Sequence, residues 1–192
     1  TENTQTTYPV LYMYDGQNVF HSREAYSGHS WKVIPHLKWN SQIPDMMIVA
    51  IDHDGEQRLN EYTPWEMNPA EIEKTQQVGG VGKAHASWIV ECGKPFIDQH
   101  YRTSPQKETS FLAGSSLGGL MTAYTGATYP DVFGVLGIFS LASWVNDEAF
   151  LHYIAQHPLA TQTKVYLQVG TMEGNETDQG FTSKNVNQMY LD

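Results

Sequence analysis

The chain has 192 residues, 21 acidic against 11 basic, for a formal net charge of −10. That length suits one domain with a sizeable core, and 40% hydrophobic with 12% aromatic content belongs to a folded chain rather than a disordered one. The acidic balance argues against nucleic acid or an anionic membrane as partner, because both need a basic face, and no run approaches the roughly eighteen apolar residues of a membrane span.

Residues 1–7 are polar and expected to fray. Tyr8 to Tyr14 is a continuous apolar and aromatic run, the pattern of a buried strand. Asp15-Gly16-Gln17-Asn18 ends it as a turn cluster, and residues 19–42 read as loop with some helix near Trp31 to Leu37. Met46 to Ile51 predicts a second buried strand, followed by a long polar excursion over 52–82. Lys83 to Tyr101 predicts an amphipathic helix with Trp88, Ile89, Phe96 and Ile97 as its apolar positions and Pro95 as a kink. Within it lies the single cysteine, Cys92, which excludes an internal disulfide and is expected as a small buried hydrophobe. Its solitary state suits a reducing compartment, so a cytoplasmic setting is expected.

Phe111 to Gly118 is the most informative stretch. Gly114-Ser115-Ser116-Leu117-Gly118 is a G-x-S-x-G elbow, with a short apolar strand before it and a helical run, Leu120 to Thr128, after it. A nucleophilic serine on a strained turn needs near-zero side chains on either side, so that the backbone bends and a carbonyl can approach. A serine hydroxyl is a weak nucleophile alone, so Ser116 also predicts a histidine base and a carboxylate to orient it. Beyond the elbow, Val132 to Phe139 predicts a strand closing on Ser140, Glu148 to Gln156 a helix, and Lys164 to Val169 another strand. Ser183 reads as the N-cap of a tail helix whose face is Val186, Met189 and Tyr190. Alternating strand and helix imply a mostly parallel sheet with helices on both faces. Because the tail face wants cover that no further strand supplies, we expect one domain over 1–192 that lacks its C-terminal strand and helix.

Two polar clusters carry less. Asp52-His53-Asp54-Gly55 places three ligand types on consecutive extended positions that cannot all face one ion, so loop polarity is the better account and no metal site is expected. Gly79-Gly80-Val81-Gly82-Lys83-Ala84 lacks the Ser/Thr after lysine and the spacing of a phosphate loop, and reads as a connection into the helix.

Four motifs in order, Tyr-Met-Tyr-Asp-Gly-Gln-Asn-Val-Phe (12–20), Arg-Leu-Asn-Glu-Tyr-Thr-Pro-Trp (58–65), Gly-Ser-Ser-Leu-Gly-Gly-Leu (114–120) and Val-Gly-Thr-Met-Glu-Gly (169–174), resemble the esterase D, enterochelin-esterase and feruloyl-esterase-like branch of the α/β-hydrolases. The resemblance covers nearly the whole chain. It implies an α/β-hydrolase fold, Ser116 as nucleophile, the Leu117 N–H as one oxyanion donor and the Gln17 N–H as the other, with Gly16 as the fallback. It makes Glu173 the acid, with Glu176 and Asp178 as competitors. Gly16, Ser115 and Trp144 fall on the expected substrate side, with Trp31 and Trp65 as weaker candidates for an aromatic wall. It also implies that Arg58 and Glu61 pair to brace the long loop.

The resembling family places its histidine after the acid, and none of the eight histidines here (His21, His29, His36, His53, His85, His100, His152, His157) follows Glu173. His152 and His157, the two after the nucleophile, read as surface or half-buried helix residues. The base is therefore expected on a further C-terminal segment. The resulting expectation is a serine carboxylic-ester hydrolase that needs no cofactor and acts on a small-molecule ester. An acyltransferase using the same site is one alternative. A non-catalytic binding protein, suggested by the absent histidine, is the other.

Overall fold

Five apolar or aromatic residues run together in β1 (Val10–Tyr14) because both faces of that strand are covered. Val10, Tyr12 and Tyr14 belong to one core, while Leu11 and Met13 lie in a second core on the other side of the sheet. This computed structural model describes residues 5–67, 78–143, 145 and 149–173. Around β1 stand β2 (Met47–Ile51), β5 (Ser110–Ser115), β6 (Val135–Phe139) and β7 (Lys164–Gln168), in the order β2-β1-β5-β6-β7, every neighbouring pair parallel. Two short strands, β3 (Glu66–Met67) and β4 (Val78–Gly79), form a separate antiparallel ribbon inside the long polar excursion.

The helices divide between the faces. α1 (Val33–Trp39) brings Val33 to the smaller core with Met13, Val19 and Ala113. On the opposite face lie α2 (Arg58–Glu61), α3 (Gly82–Trp88), α4 (Lys94–His100), α5 (Leu117–Thr128) and α6 (Ala149–Gln156). α5 is buried along its length from Leu117 to Ala127, so it is apolar or small nearly all round. A hydrogen bond between the Tyr14 hydroxyl and Thr125 Oγ1, at 3.0 Å, ties it to the central strand. Burial pushes the Tyr14 phenol well above its ordinary range, so the hydroxyl stays neutral at that bond.

Several expectations shift. The first strand begins at Val10, and Tyr8 makes only an isolated bridge to Thr103. β2 is half-buried rather than buried, with Ile51 its sole buried residue, because it is the outer strand on that side. The helix expected over 83–101 is broken before Pro95 by a π-helical turn, Ile89–Gly93. That turn rotates Cys92 off the buried face that Ile89 occupies, so Cys92 is exposed, contrary to expectation. Trp88 and Phe96, expected on the apolar face, are each 54% exposed. The elbow helix starts at Leu117, three residues earlier than its apolar run suggests, and β6 starts at Val135 rather than Val132. The tail helix after Ser183 lies outside the described residues, as do Glu176 and Asp178.

Parallel order fixes where a site belongs. From β1 the chain crosses to β2 on one side, while β5 lies on the other. The loops leaving the C-terminal ends of β1 and β5 therefore diverge, and open sheets bind ligands in the crevice between such loops. Those loops carry Asp15 to Asn18 and Ser116.

Candidate active site

Ser116 stands at the junction of β5 and α5 with φ 58° and ψ −120°, a conformation that residues with a Cβ rarely adopt. Its N–H donates to the Phe139 carbonyl at 2.9 Å, and its own carbonyl accepts from Ala142 at 3.3 Å and from Leu120 at 3.0 Å. The turn closes tightly enough that a Cβ on Gly114 would meet the Gly118 carbonyl, and one on Gly118 would come 2.9 Å from Asp15 Oδ2. The Ser116 side is exposed, while Leu117 behind it is buried. Leu117 opens α5, so its N–H has no acceptor one turn back within the helix.

Across the crevice, Asp15 also takes a left-handed conformation, φ 55° and ψ 54°, and leads into a 3-10 turn over Gly16–Asn18. Asp15 is 5% exposed. Its N–H donates to the Tyr62 hydroxyl at 3.0 Å. Its carboxylate accepts from Arg58 Nε at 2.5 Å and from the second guanidinium nitrogen at 2.9 Å, and His53 Nε2 lies 3.4 Å from Oδ1. Burial works against the Arg58 charge, but the hydrogen bonds and opposite charge of Asp15 outweigh it and raise Arg58 above its usual range. Burial, reinforced by the Asp15 charge, raises the Tyr62 phenol and keeps it neutral. Gln17 Nε2 donates to the His53 carbonyl at 2.7 Å, and the His53 N–H approaches Gln17 Oε1 at 3.5 Å.

These groups enclose a cavity of about 600 Å³ lined by Asp15, Gln17, Asn18, Glu24, Tyr26, His53, Gly55, Arg58 and Ser116. Cavities of about 690 and 610 Å³ open elsewhere, one beside Leu37 and Pro44 and one between β2 and the α3–α4 stretch. Volume does not separate the three. Among these three, as lined by the described residues, the cavity at the switch point is the one that holds a serine on a strained turn.

Glu173 stands apart from that cavity, beyond the end of β7. Its Oε1 accepts from Ser140 Oγ and from the Gly170 N–H, both at 2.6 Å. Ser140, the residue after β6, is itself left-handed at φ 50°. Because Phe139 binds the Ser116 N–H, the end of β6 links the elbow to the loop that carries Glu173. His152 and His157 are exposed on and just after α6, with His157 stacked on Tyr153 at 4.2 Å. Among the described residues no histidine hydrogen-bonds the Ser116 hydroxyl, and no group of three metal-ligating side chains forms.

The structure thus brings Ser116 and Gln17 to one cavity, with Leu117 and Gly16 buried immediately behind them. Ser115 pairs with Phe139 at the strand end and does not line the cavity. Trp144 lies outside the described residues. Trp31 packs against Phe139 at 5.0 Å, and Trp65 meets Tyr124 and Tyr153 edge-on at 5.6 Å, so neither walls the Ser116 cavity. The expected Arg58–Glu61 pair is not formed. Arg58 turns to the buried Asp15, whose two oxygens match its planar fork, while Glu61 accepts from the Asp54 N–H at 3.2 Å. The sequence alone marks Asp15 and His53 only as turn and loop polarity. The signal that finds them is position: each follows the C-terminal end of one of two adjacent parallel strands.

The "Putative esterase" family model matches residues 2–189. The chain belongs to this Esterase family. Among curated relatives, the uncharacterized proteins YbbA and YjcH of Bacillus subtilis (strain 168) are each 26% identical, over 171 and 180 residues. This Esterase-family chain spans 63% and 65% of their lengths, while the matches cover 88% and 93% of its own. Among solved structures it is similar to an IroE-like serine hydrolase from Shewanella oneidensis (TM-score 0.73, 22% identity, 98% of this chain and 59% of that one). It is also similar to the siderophore hydrolase EstA from Aspergillus nidulans (TM-score 0.69, 18% identity, 98% and 68%). Enterochelin esterase from Shigella flexneri follows with TM-score 0.68, 20% identity, and 97% and 42% coverage. These likenesses establish the α/β-hydrolase fold.

Proposed function

We propose that this protein is a serine carboxylic-ester hydrolase working through an acyl-enzyme on Ser116. The observation that carries the reading is the strained Ser116 at the switch point, facing the Gln17 turn across a cavity of about 600 Å³. Ser116 Oγ attacks the ester carbonyl, and its proton passes to a base. The oxyanion that forms accepts hydrogen bonds from the N–H groups of Leu117 and Gln17. The tetrahedral intermediate expels the alcohol, which leaves with a proton, and water then releases the acid from Ser116. Losing one such donor typically costs about 3–4 kcal/mol. Glu173 is assigned as the carboxylate that orients the base; two short hydrogen bonds hold its Oε1 in place. The reading calls for a histidine base, and among the described residues none hydrogen-bonds the Ser116 hydroxyl.

The substrate class is a small-molecule ester, in keeping with relatives in the same fold named as siderophore hydrolase and enterochelin esterase. The lone cysteine favours a cytoplasmic setting. That no described histidine bonds Ser116 favours, as the second reading, a binding protein without turnover. Ser116→Ala in the full-length protein separates the two. Loss of about 10⁴-fold or more in kcat/KM on an aryl acetate supports the esterase. Hydrolysis unchanged by the substitution, or no hydrolysis by the unsubstituted protein, overturns it.

A further inference from the structure

We infer that Asp15 is a positioning residue that sets the separation of the two amide donors assigned above, an inference that rests on the esterase reading. Leu117 and Gln17 come from segments one hundred residues apart, and two donors help only if both meet the same oxygen. Asp15 touches the platform of each. Along the chain, its left-handed backbone aims the turn that presents Gln17, and its N–H is pinned by Tyr62. Across the crevice, its Oδ2 lies against Gly118 in the first turn of α5, so close that a Cβ there would come within 2.9 Å.

The rest of the cluster holds that carboxylate still. Arg58 grips both its oxygens, and His53 Nε2 approaches Oδ1. The Gln17 side chain then clasps the peptide group of the same His53. The loop after β1 and the loop after β2 are therefore joined at two levels, ring to carboxylate and amide to peptide. A buried ion pair is a poor device for stability alone, since apolar packing of the same volume does as well or better. A carboxylate wedged between an arginine fork and a glycine of the elbow is suited to fixing a distance.

The test uses the full-length protein with active sites titrated to completion by a fluorophosphonate, so that only folded, reactive molecules are counted. Asp15→Asn keeps the shape and tolerates the left-handed backbone. Because it strands the Arg58 charge, a companion Asp15→Asn/Arg58→Met removes that charge and keeps the experiment informative if the single variant folds badly. Per titrated site, both should lose about 10–100-fold in kcat with KM changed by no more than about 2-fold. Affinity for an alkyl trifluoromethyl ketone, which binds as a tetrahedral oxyanion, should fall by the same factor. A merely structural role would lower the titratable fraction and leave both quantities intact. Turnover per site and ketone affinity at the unsubstituted level would overturn the inference alone. A full-length protein that takes no label would overturn the esterase reading and this inference with it.

Discussion

Ser116 occupies a backbone conformation that costs on the order of 1–3 kcal/mol for a residue with a Cβ. It persists because its N–H and its carbonyl are held from both sides, by Phe139, Leu120 and Ala142. The same tightness explains Gly118, which has no room for a methyl group against Asp15 Oδ2 and Tyr14 Cβ. Gly118→Ala should therefore push the start of α5 away from Asp15. We expect a loss of about 1–3 kcal/mol in urea unfolding together with at least about 10-fold in kcat/KM, since overpacking and a misplaced donor act at once. Full activity in this variant would show that the elbow and Asp15 do not need their observed separation.

At the level of elements, β1 and α5 carry the site between them, and one buried hydrogen bond joins their interiors, Tyr14 to Thr125. Tyr14→Phe removes one partner and leaves Thr125 Oγ1 buried, which should cost about 1–3 kcal/mol in denaturant unfolding with kcat per titrated site little changed. These elements were legible in the sequence because each is a local pattern: an unbroken apolar run for β1, and a glycine-flanked serine followed by small and apolar residues for the elbow. What was not legible is the joining of loops. Arg58 has Glu61 three residues away and Asp15 forty-three residues away, and the distant partner holds it. The reason is three-dimensional, since parallel pairing of β1 and β2 brings residues 15–18 against 51–58, where a buried carboxylate offers two acceptors. Cys92 and Trp88 are exposed against the sequence pattern for a related reason. A π-helical turn changes the face that an α-helical period assigns to each residue.

Across the whole molecule, the Esterase-family fold places a half-buried histidine, His85, among Tyr14, Tyr62 and Trp88, with its buried Nε2 unpartnered. Burial is the main cause that lowers its pKa from the ordinary 6.5, opposed by the charge of Glu61 and aided by His53. An unfolded chain therefore takes up this proton at higher pH than the folded one. The contribution of this group to stability is full above about pH 6.5 and is lost as pH falls toward the depressed folded-state value. The urea midpoint should drop between about pH 7.5 and about pH 5.5, and His85→Phe should make that drop smaller. An equal drop in the variant would assign the pH dependence to other groups. The proposed chemistry turns on an activated hydroxyl at one position, Ser116. Its most direct test is mass spectrometry of the full-length protein after exposure to a fluorophosphonate: the account predicts a single covalent adduct on the peptide carrying Ser116, abolished in Ser116→Ala, and an unmodified Ser116 in a folded protein would contradict it.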